Sequence, residues 1–329
     1  MDINQIAKLA GVSRTTVSRY LNDGYVSKEK RERIAQVIKE TGYVPSQSAQ
    51  QLRTGVTNQV GVIIPKINSH SVGRMVAGIT QKLAEDNYQV LLANTDNDEK
   101  AELAYLRLFV EYSRVDGIIL IGTIITDEHR EAIAAAGVPV VVLGQHVDDI
   151  SCVYHDDRRA MHDVARLVFP AAEHPAYLGV TVRDEAAGES REQGFHDACA
   201  EAGITPDESA ILRGGFSIDS GEKLCEKLVG EHPEVDAIVC ATDDIALGAM
   251  ASLRERGLRV PEDVQVTGLG DNDVSRVVSP ALSTVHLGYR TSGVSAARML
   301  VDAMARGEHL NRVMCMGYEV LPRESTLRR

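Results

Sequence analysis

Residues 13–22 read Ser-Arg-Thr-Thr-Val-Ser-Arg-Tyr-Leu-Asn and combine arginines, small hydroxyls and an amide at helical spacing. On a helix from Arg14 onward, Val17 and Leu21 turn inward while Arg14, Thr15, Ser18 and Arg19 face out. Arginine can donate two parallel N–H bonds to guanine, and Thr or Ser can reach base edges or phosphates. A buried helix would carry apolar groups at those outer positions. The chemistry that fits is the reading of base pairs in the major groove of DNA.

Three short helices would hold that surface. The first is expected over residues 3–10, burying Ile6, Ala7 and Leu9, and turns at Gly11-Val12-Ser13. Ser13 is placed to cap the second helix, which Asn22-Asp23-Gly24 ends. Ser27 would cap a third helix, residues 28–41, with Ile34, Val37 and Ile38 facing the core and Gly42 as the stop. After the break Tyr43-Val44-Pro45-Ser46, residues 47–54 have helical composition over only about two turns, too short to be stable without a partner. Residues 55–58 read as a linker.

Charge supports the division. The chain carries a net −12, yet residues 1–58 hold nine Lys/Arg against five Asp/Glu, and the remaining residues hold 26 basic against 42 acidic. Phosphate attraction follows local charge, so only the head is suited to nucleic acid. A length of 329 residues implies two or three domains. No apolar run is long enough to span a membrane, the N-terminus lacks a secretory pattern, and the five cysteines are scattered and odd in number. A cytoplasmic protein with reduced thiols is expected.

From residue 59 apolar runs alternate with amphipathic helices. Strands are expected at 60–64, 89–93, 117–121, 138–143, 176–180, 237–240 and 264–268. Helices are expected near 72–85, 99–112, 160–169, 191–201, 221–229 and 245–256. Near-continuous β-branched runs separated by helices imply buried parallel strands. Two such sets, split near Asp156-Asp157, give an α/β body of two doubly wound halves facing a cleft, with ligands at the carboxyl ends of the strands.

Head and body together resemble the lac-repressor family of bacterial transcription regulators. The residues that carry the resemblance are Ile6-Ala7, Ala10-Gly11-Val12-Ser13, Thr16-Val17-Ser18-Arg19, Leu21-Asn22 and Gly42-Tyr43-Val44-Pro45-Ser46 with Ala49 and Leu52. In the body they are Val115-Asp116-Gly117-Ile118-Ile119, the run 241–250, the run 257–264 and Pro280-Ala281-Leu282-Ser283-Thr284-Val285. The resemblance implies a helix-turn-helix head over 1–45, a hinge helix and linker over 46–58, and a type I periplasmic-binding-protein-like effector domain over 59–329. Its N-subdomain would take 59–156 plus 288–315, and its C-subdomain 157–287 plus 316–329. It also implies a homodimer, or a tetramer, on a pseudo-palindromic operator, no cofactor, and a repressor of carbohydrate utilisation controlled by a sugar or sugar phosphate. The alternatives are a cytosolic sugar receptor without DNA regulation, or a regulator responding to a nucleobase or nucleoside.

By similarity Arg14, Thr15 and Arg19 read bases, Thr16 and Ser18 position the helix on phosphates, and Asn22 joins them. Leu52 matches a leucine that wedges into the minor groove when the hinge helix forms on DNA. Gln50 stands where the family often has arginine, and Arg53 supplies part of that charge. The effector residues carried over are Lys66, Gln145, Arg191, Phe216, Thr242, Asp243, Asp271 and Tyr289. Several have other readings: a solvated Lys66, a core plug at Phe216, a helix cap at Asp243. Asp271 is one position displaced from the family acid. Residues 154–157 and 179–181 resemble the sucrose and trehalose subgroup; His155 beside two carboxylates suits a hinge or ion-pair role. The Gly268-Leu269-Gly270 stretch lacks the third glycine of a dinucleotide loop. With no Walker motif, G-x-S-x-G or metal cluster in the sequence, no enzyme is expected.

Overall fold

The computed structural model describes residues 1–43, 56–113, 115–306 and 311–327. The chain divides into two compact units, Met1–Thr57 and Asn58–Arg329.

In the first unit, α1 (Ile3–Leu9) starts at a capping box. The Asp2 carboxylate accepts from Gln5 N at 2.8 Å, and the Gln5 amide oxygen accepts from Asp2 N at 2.9 Å. Helix α2 (Arg14–Tyr20) is capped by Ser13, whose hydroxyl accepts from Thr16 N. Helix α3 (Lys28–Thr41) stops at Gly42, which takes the left-handed φ of 63° that ends helices cheaply only for glycine. Ser27 stands at the N-cap of α3 but makes no side-chain cap bond. Ile6, Ala7, Ala10, Val17, Val26 and Ile34 close the core. Leu9, expected inside, is 58% exposed. The buried stripe of α1 follows Ile3, Ile6, Ala7 and Ala10, three or four residues apart, and Leu9 falls off that face.

The second unit holds two parallel sheets. Strands β1 (Gln59–Ile64), β2 (Gln89–Asn94), β3 (Gly117–Ile121), β4 (Val140–Leu143) and β5 (Cys152–His155) join the late β11 (Val313–Met316) in the order β11-β5-β4-β3-β1-β2. The crossovers include α4 (His70–Glu85), α5 (Glu99–Leu108) and α6 (Asp127–Ala134). In the other lobe, β6 (Pro175–Val180), β7 (Ile211–Gly214), β8 (Ala237–Cys240) and β9 (Gln265–Thr267) are ordered β7-β6-β8-β9. They are interleaved with α7 (Asp157–Ala165), α8 (Arg191–Ala202), α9 (Ile218–Glu231) and α10 (Asp243–Glu255). The chain then forms β10 (Thr284–Leu287), returns to the first lobe through α11 (Tyr289–Arg306) and β11, and ends in β12 (Tyr318–Leu321), antiparallel to β10. Central strands β3 and β8 are buried throughout, as expected for strands covered by helices on both faces.

Strands β5, β7, β10, β11 and β12 and helices α6 and α11 are not among the expected elements. Most of these strands are short or lie at an edge, and β11 is largely exposed, so they lack the unbroken apolar run of a central strand. Helices α4 and α11 meet at backbone contact. A Cβ on Gly78 would lie 2.0 Å from the Arg290 carbonyl oxygen, and one on Gly293 would lie 2.1 Å from that of Met75. Glycine is required for that approach, and it anchors the returning helix against the first lobe.

Candidate functional site

The outer surface of α2 exposes Arg14, Thr15 and Arg19, with Ser18 partly buried beside them and Val17 fully inside. The cap at Ser13 fixes where the helix starts, and hence which residues share this face. Thr16 is turned into the cap, its hydroxyl 2.9 Å from that of Ser13. Asn22 donates its amide to the Ser18 carbonyl, closing the end of the helix. Arg31 lies over the Tyr20 ring at 5.4 Å, covering the rear of α2. Neither of the outward arginines has an ion-pair partner among the described residues of this unit, so both guanidiniums are free to meet phosphate or base. Gln50, Leu52 and Arg53 lie outside the described residues.

In the body, a cavity of about 260 Å³ opens at the carboxyl ends of strands from both lobes, where open α/β sheets bind ligands. It brings together Lys66, Gln145, Arg191, Phe216, Thr242 and Tyr289. Lys66 follows β1, Gln145 follows β4, Thr242 follows β8, and Tyr289 opens α11. Phe216 sits in the turn before α9, partly packed against the core.

Arg191 is the most constrained of these groups. Its Nε and Nη2 donate to Asp157 Oδ1 at 2.8 and 2.7 Å, and Nη1 donates to the Ala241 carbonyl at 2.6 Å. Burial opposes its charge, but the Asp157 carboxylate together with the Tyr289 and Tyr177 hydroxyls more than offsets that, and its pKa stands above the ordinary value. A six-residue π-helical turn (Glu185–Ser190) runs directly into α8, so Arg191 is not at a free helix N-terminus. Gln145 donates to Asp184 Oδ1 at 2.8 Å and to the Thr123 carbonyl at 2.9 Å, and accepts from Ala186 N. Because Gln145 and Asp184 belong to different lobes, this bond spans the cleft. Burial pushes the Asp184 carboxyl up, against the bonds from Ala187 N and Gln145.

The two remaining expected ligands lie elsewhere. Asp243 faces inward, and its carboxylate accepts from Thr284 Oγ1, Asn272 N and Ser275 Oγ. Burial raises its pKa against those bonds. It is the first residue of α10 and not its cap, for Thr242 Oγ1 accepts from Ile245 N. Asp271 is held by Arg323 and by His286 Nδ1 at 2.9 Å. Burial works against its charge, but these two partners keep its pKa below the usual carboxylate range. With these bonds made internally, both acids brace the lobe; Asp271 does not line the cavity, and Asp243 borders only a small adjoining pocket beside Thr242, Asp244 and Tyr289.

His155, Asp157, Asp184 and Asp244 line the cavity although they are not among the expected effector residues. Position is the only signal the sequence offers: His155 and Asp157 straddle the break between the strand sets, and Asp184 follows β6. The His155 ring meets the Tyr289 ring edge-on at 5.4 Å. Burial lowers the His155 pKa from its ordinary value. A depressed histidine is neutral when folded, so its contribution is complete above the unfolded pKa of about 6.5 and is lost as pH falls below it. Calorimetry between about pH 7.5 and 5.5 should therefore show a falling melting temperature, and a shallower fall in His155→Gln. Identical slopes would exclude this origin. Among the described residues, no group of His, Cys, Asp and Glu is arranged to hold a metal, and no helix is long and apolar enough to cross a membrane.

Residues 164–326 match the periplasmic binding protein-like domain, and residues 2–46 match the bacterial regulatory proteins of the lacI family. The sucrose operon repressor of Staphylococcus xylosus is 35% identical over 293 residues, covering 89% of this chain and 90% of that protein. The transcriptional regulator IdnR of Escherichia coli (strain K12) is 30% identical over 325 residues, 97% of each chain. The solved lac repressor dimer bound to operator and the anti-inducer ONPF superposes with a TM-score of 0.89 at 26% identity, covering 100% of this chain and 99% of that one. The complex of the regulator CelR with cellobiose gives 0.76 at 29% identity, covering 99% of each. A capped reading helix, a body of two doubly wound lobes around a polar cleft, and these full-length relatives converge: the chain belongs to the lacI family of bacterial regulatory proteins.

Proposed function

We propose that this regulator is a repressor of a carbohydrate-utilisation operon, released from or held on its operator by a sugar or sugar phosphate bound in the cleft. The observation that carries the proposal is the cavity itself, which gathers Lys66, Gln145, Arg191, Phe216, Thr242 and Tyr289 from both lobes of a chain whose head presents a reading helix. Residues 1–45 are the DNA-binding head, 46–58 the hinge and 59–329 the effector and dimerisation domain. Arg14, Thr15 and Arg19 read bases; Ser18 and Thr16 set the helix on the backbone, with Asn22 at its end. Two copies of the chain would present two heads to the half-sites of a pseudo-palindrome. An effector acts only through unequal affinity for the open and closed cleft, and several contacts depend on that geometry. Besides Gln145–Asp184, Arg74 donates to the Asp271 carbonyl and to Asp273 across the lobes, and Arg183 pairs with Glu99.

Mobility shift of the full chain on its own promoter DNA tests the reading. Arg19→Ala should weaken specific binding by about 1–3 kcal/mol and relax preference at one base position, whereas Ser18→Ala should lower affinity nearly evenly across sequences. Leu52→Ala tests the hinge residue. No shift at low salt by the intact protein would overturn the assignment.

A further inference from the structure

We infer that Glu102 and His129 form a buried positioning pair, which sets the three loops of the first lobe that wall the cavity and, through Thr123, the bridge that spans the cleft. Neither side chain lines the cavity itself. The inference deepens the effector reading of that cavity and rests on it.

The pair joins two helices. Glu102 sits in the first turn of α5 and His129 in the first turn of α6, and their side chains are 2% and 0% exposed. Glu102 Oε2 and His129 Nε2 stand 3.3 Å apart, and neither atom makes a hydrogen bond elsewhere among the described residues. The cap of α6 assigns the hydrogen of the ring. Nδ1 accepts from Thr126 N at 3.3 Å in a capping box, so the hydrogen belongs on Nε2, facing the Glu102 carboxyl. A buried polar atom left without a partner is costly, so each of these groups requires the other.

Each end of the pair reaches a strand-end loop. Glu102 Oε1 accepts from Thr95 Oγ1 at 3.4 Å, and Thr95 N donates to the Ile64 carbonyl at 3.0 Å, where β1 ends. Two residues on, Asn97 N donates to the Pro65 carbonyl at 2.8 Å. Pro65, Lys66 and Asn97 all line the cavity. Asp96 and Asn97 take left-handed φ values of 51° and 63° in succession, which non-glycine residues keep only where their surroundings over-determine it. On the other side, His129 Nδ1 meets the Thr126 hydroxyl at 2.8 Å, and Thr126 ends the loop that carries Gly122 and Thr123 along the cavity wall.

Thr123 carries the chain of contacts out of the first lobe. Its carbonyl accepts from Gln145 Nε2 at 2.9 Å, the same amide nitrogen that donates to Asp184. Gln145 Oε1 accepts from Ala186 N at 3.1 Å across the cleft. The Thr123 carbonyl thus fixes the amide plane of Gln145, and with it both bonds to the second lobe. The Ala186 amide hydrogen therefore reports, from the second lobe, on loops that the pair holds in the first.

Amide hydrogen exchange on the full chain, read at single residues, tests the pair without any effector. Glu102→Leu removes the acceptor that faces Nε2; His129→Asn keeps an acceptor for Thr126 N but no longer reaches Glu102. Both should raise exchange at residues 95–98 and at Ala186 by at least about tenfold, while the amides of β8 and of the head keep near wild-type rates. Glu102→Gln keeps an acceptor for Nε2 and should stay within about threefold at all these positions. If Glu102→Leu does not fold, His129→Asn carries the test. Ala186 exchanging at its wild-type rate would overturn the positioning role, and so would an equal rise in β8, the mark of general destabilisation. Glu102→Gln exchanging as fast as the disrupted variants would overturn the hydrogen bond at Nε2. No ligand enters this measurement, so its failure leaves the effector reading standing. Failure of that reading would show separately, as operator binding indifferent to sugars and sugar phosphates.

Discussion

Arg191→Met is expected to lower the unfolding free energy of the body by about 3–5 kcal/mol, the cost of leaving one partner of a buried ion pair uncompensated. Asp157 is 4% exposed and would be left with no cation beside it, while the Ala241 carbonyl would lose its donor. The loss should therefore belong to the orphaned aspartate more than to the missing arginine. Adding Asp157→Asn to the Arg191→Met background tests this directly. The double variant should recover part of the lost stability in chemical denaturation, because the amide removes the buried charge. Strict additivity of the two substitutions would show that the pair is not energetically coupled. The same variants separate support from recognition, since a double variant that folds yet binds no effector would place the Arg191–Asp157 pair in the binding site.

Gly78→Val should be nearly as damaging, at about 3 kcal/mol or more, through overpacking. The obstacle is the Arg290 carbonyl, a backbone atom that no rotamer change can move aside. Since a Cβ there would start only 2.0 Å away, α4 and α11 must separate by about an ångström. That displacement would propagate to Tyr289, the first residue of α11 and part of the cavity wall. Effector affinity should thus fall with stability. Gly73 on the same helix is the control: it is exposed and a Cβ there meets nothing within 4 Å, so Gly73→Ala should stabilise by roughly 0.5–1 kcal/mol through helix propensity. Equal losses at both positions would mean that the contact is not what makes Gly78 necessary.

Periodicity exposes the central strands and the reading helix because their environments are simple. Residues Gly117–Ile121 are buried on both faces and read as one apolar run, and Val17 is the buried position between exposed arginines. Strand β11 is not legible in this way, because Val313 and Met314 are exposed and its partner β5 lies about 160 residues earlier. Such pairing is a property of the whole chain. The same limit governs the acids. Asp243 and Asp271 carry the right chemistry for binding hydroxyls, but the partners that consume them, Thr284 and Arg323, arrive from distant segments. Conversely, Asp184 becomes a cleft residue only when Gln145 is brought across from the other lobe.

The return of α11 and β11 to the first lobe, followed by β12 pairing in the second, bears on how the protein is made. The head can close its core once α3 has left the ribosome, because all its buried residues among those described lie before residue 35. The body cannot do the same: its six-stranded sheet lacks its edge strand, and Gly78 lacks its partner helix, until residues near 316 are synthesised. At roughly 5–20 residues per second, that leaves an interval of more than about ten seconds. During it, a folded DNA-binding module would be tethered to an unfinished sensor, so a nascent chain gains its reading surface well before it gains the means to be switched.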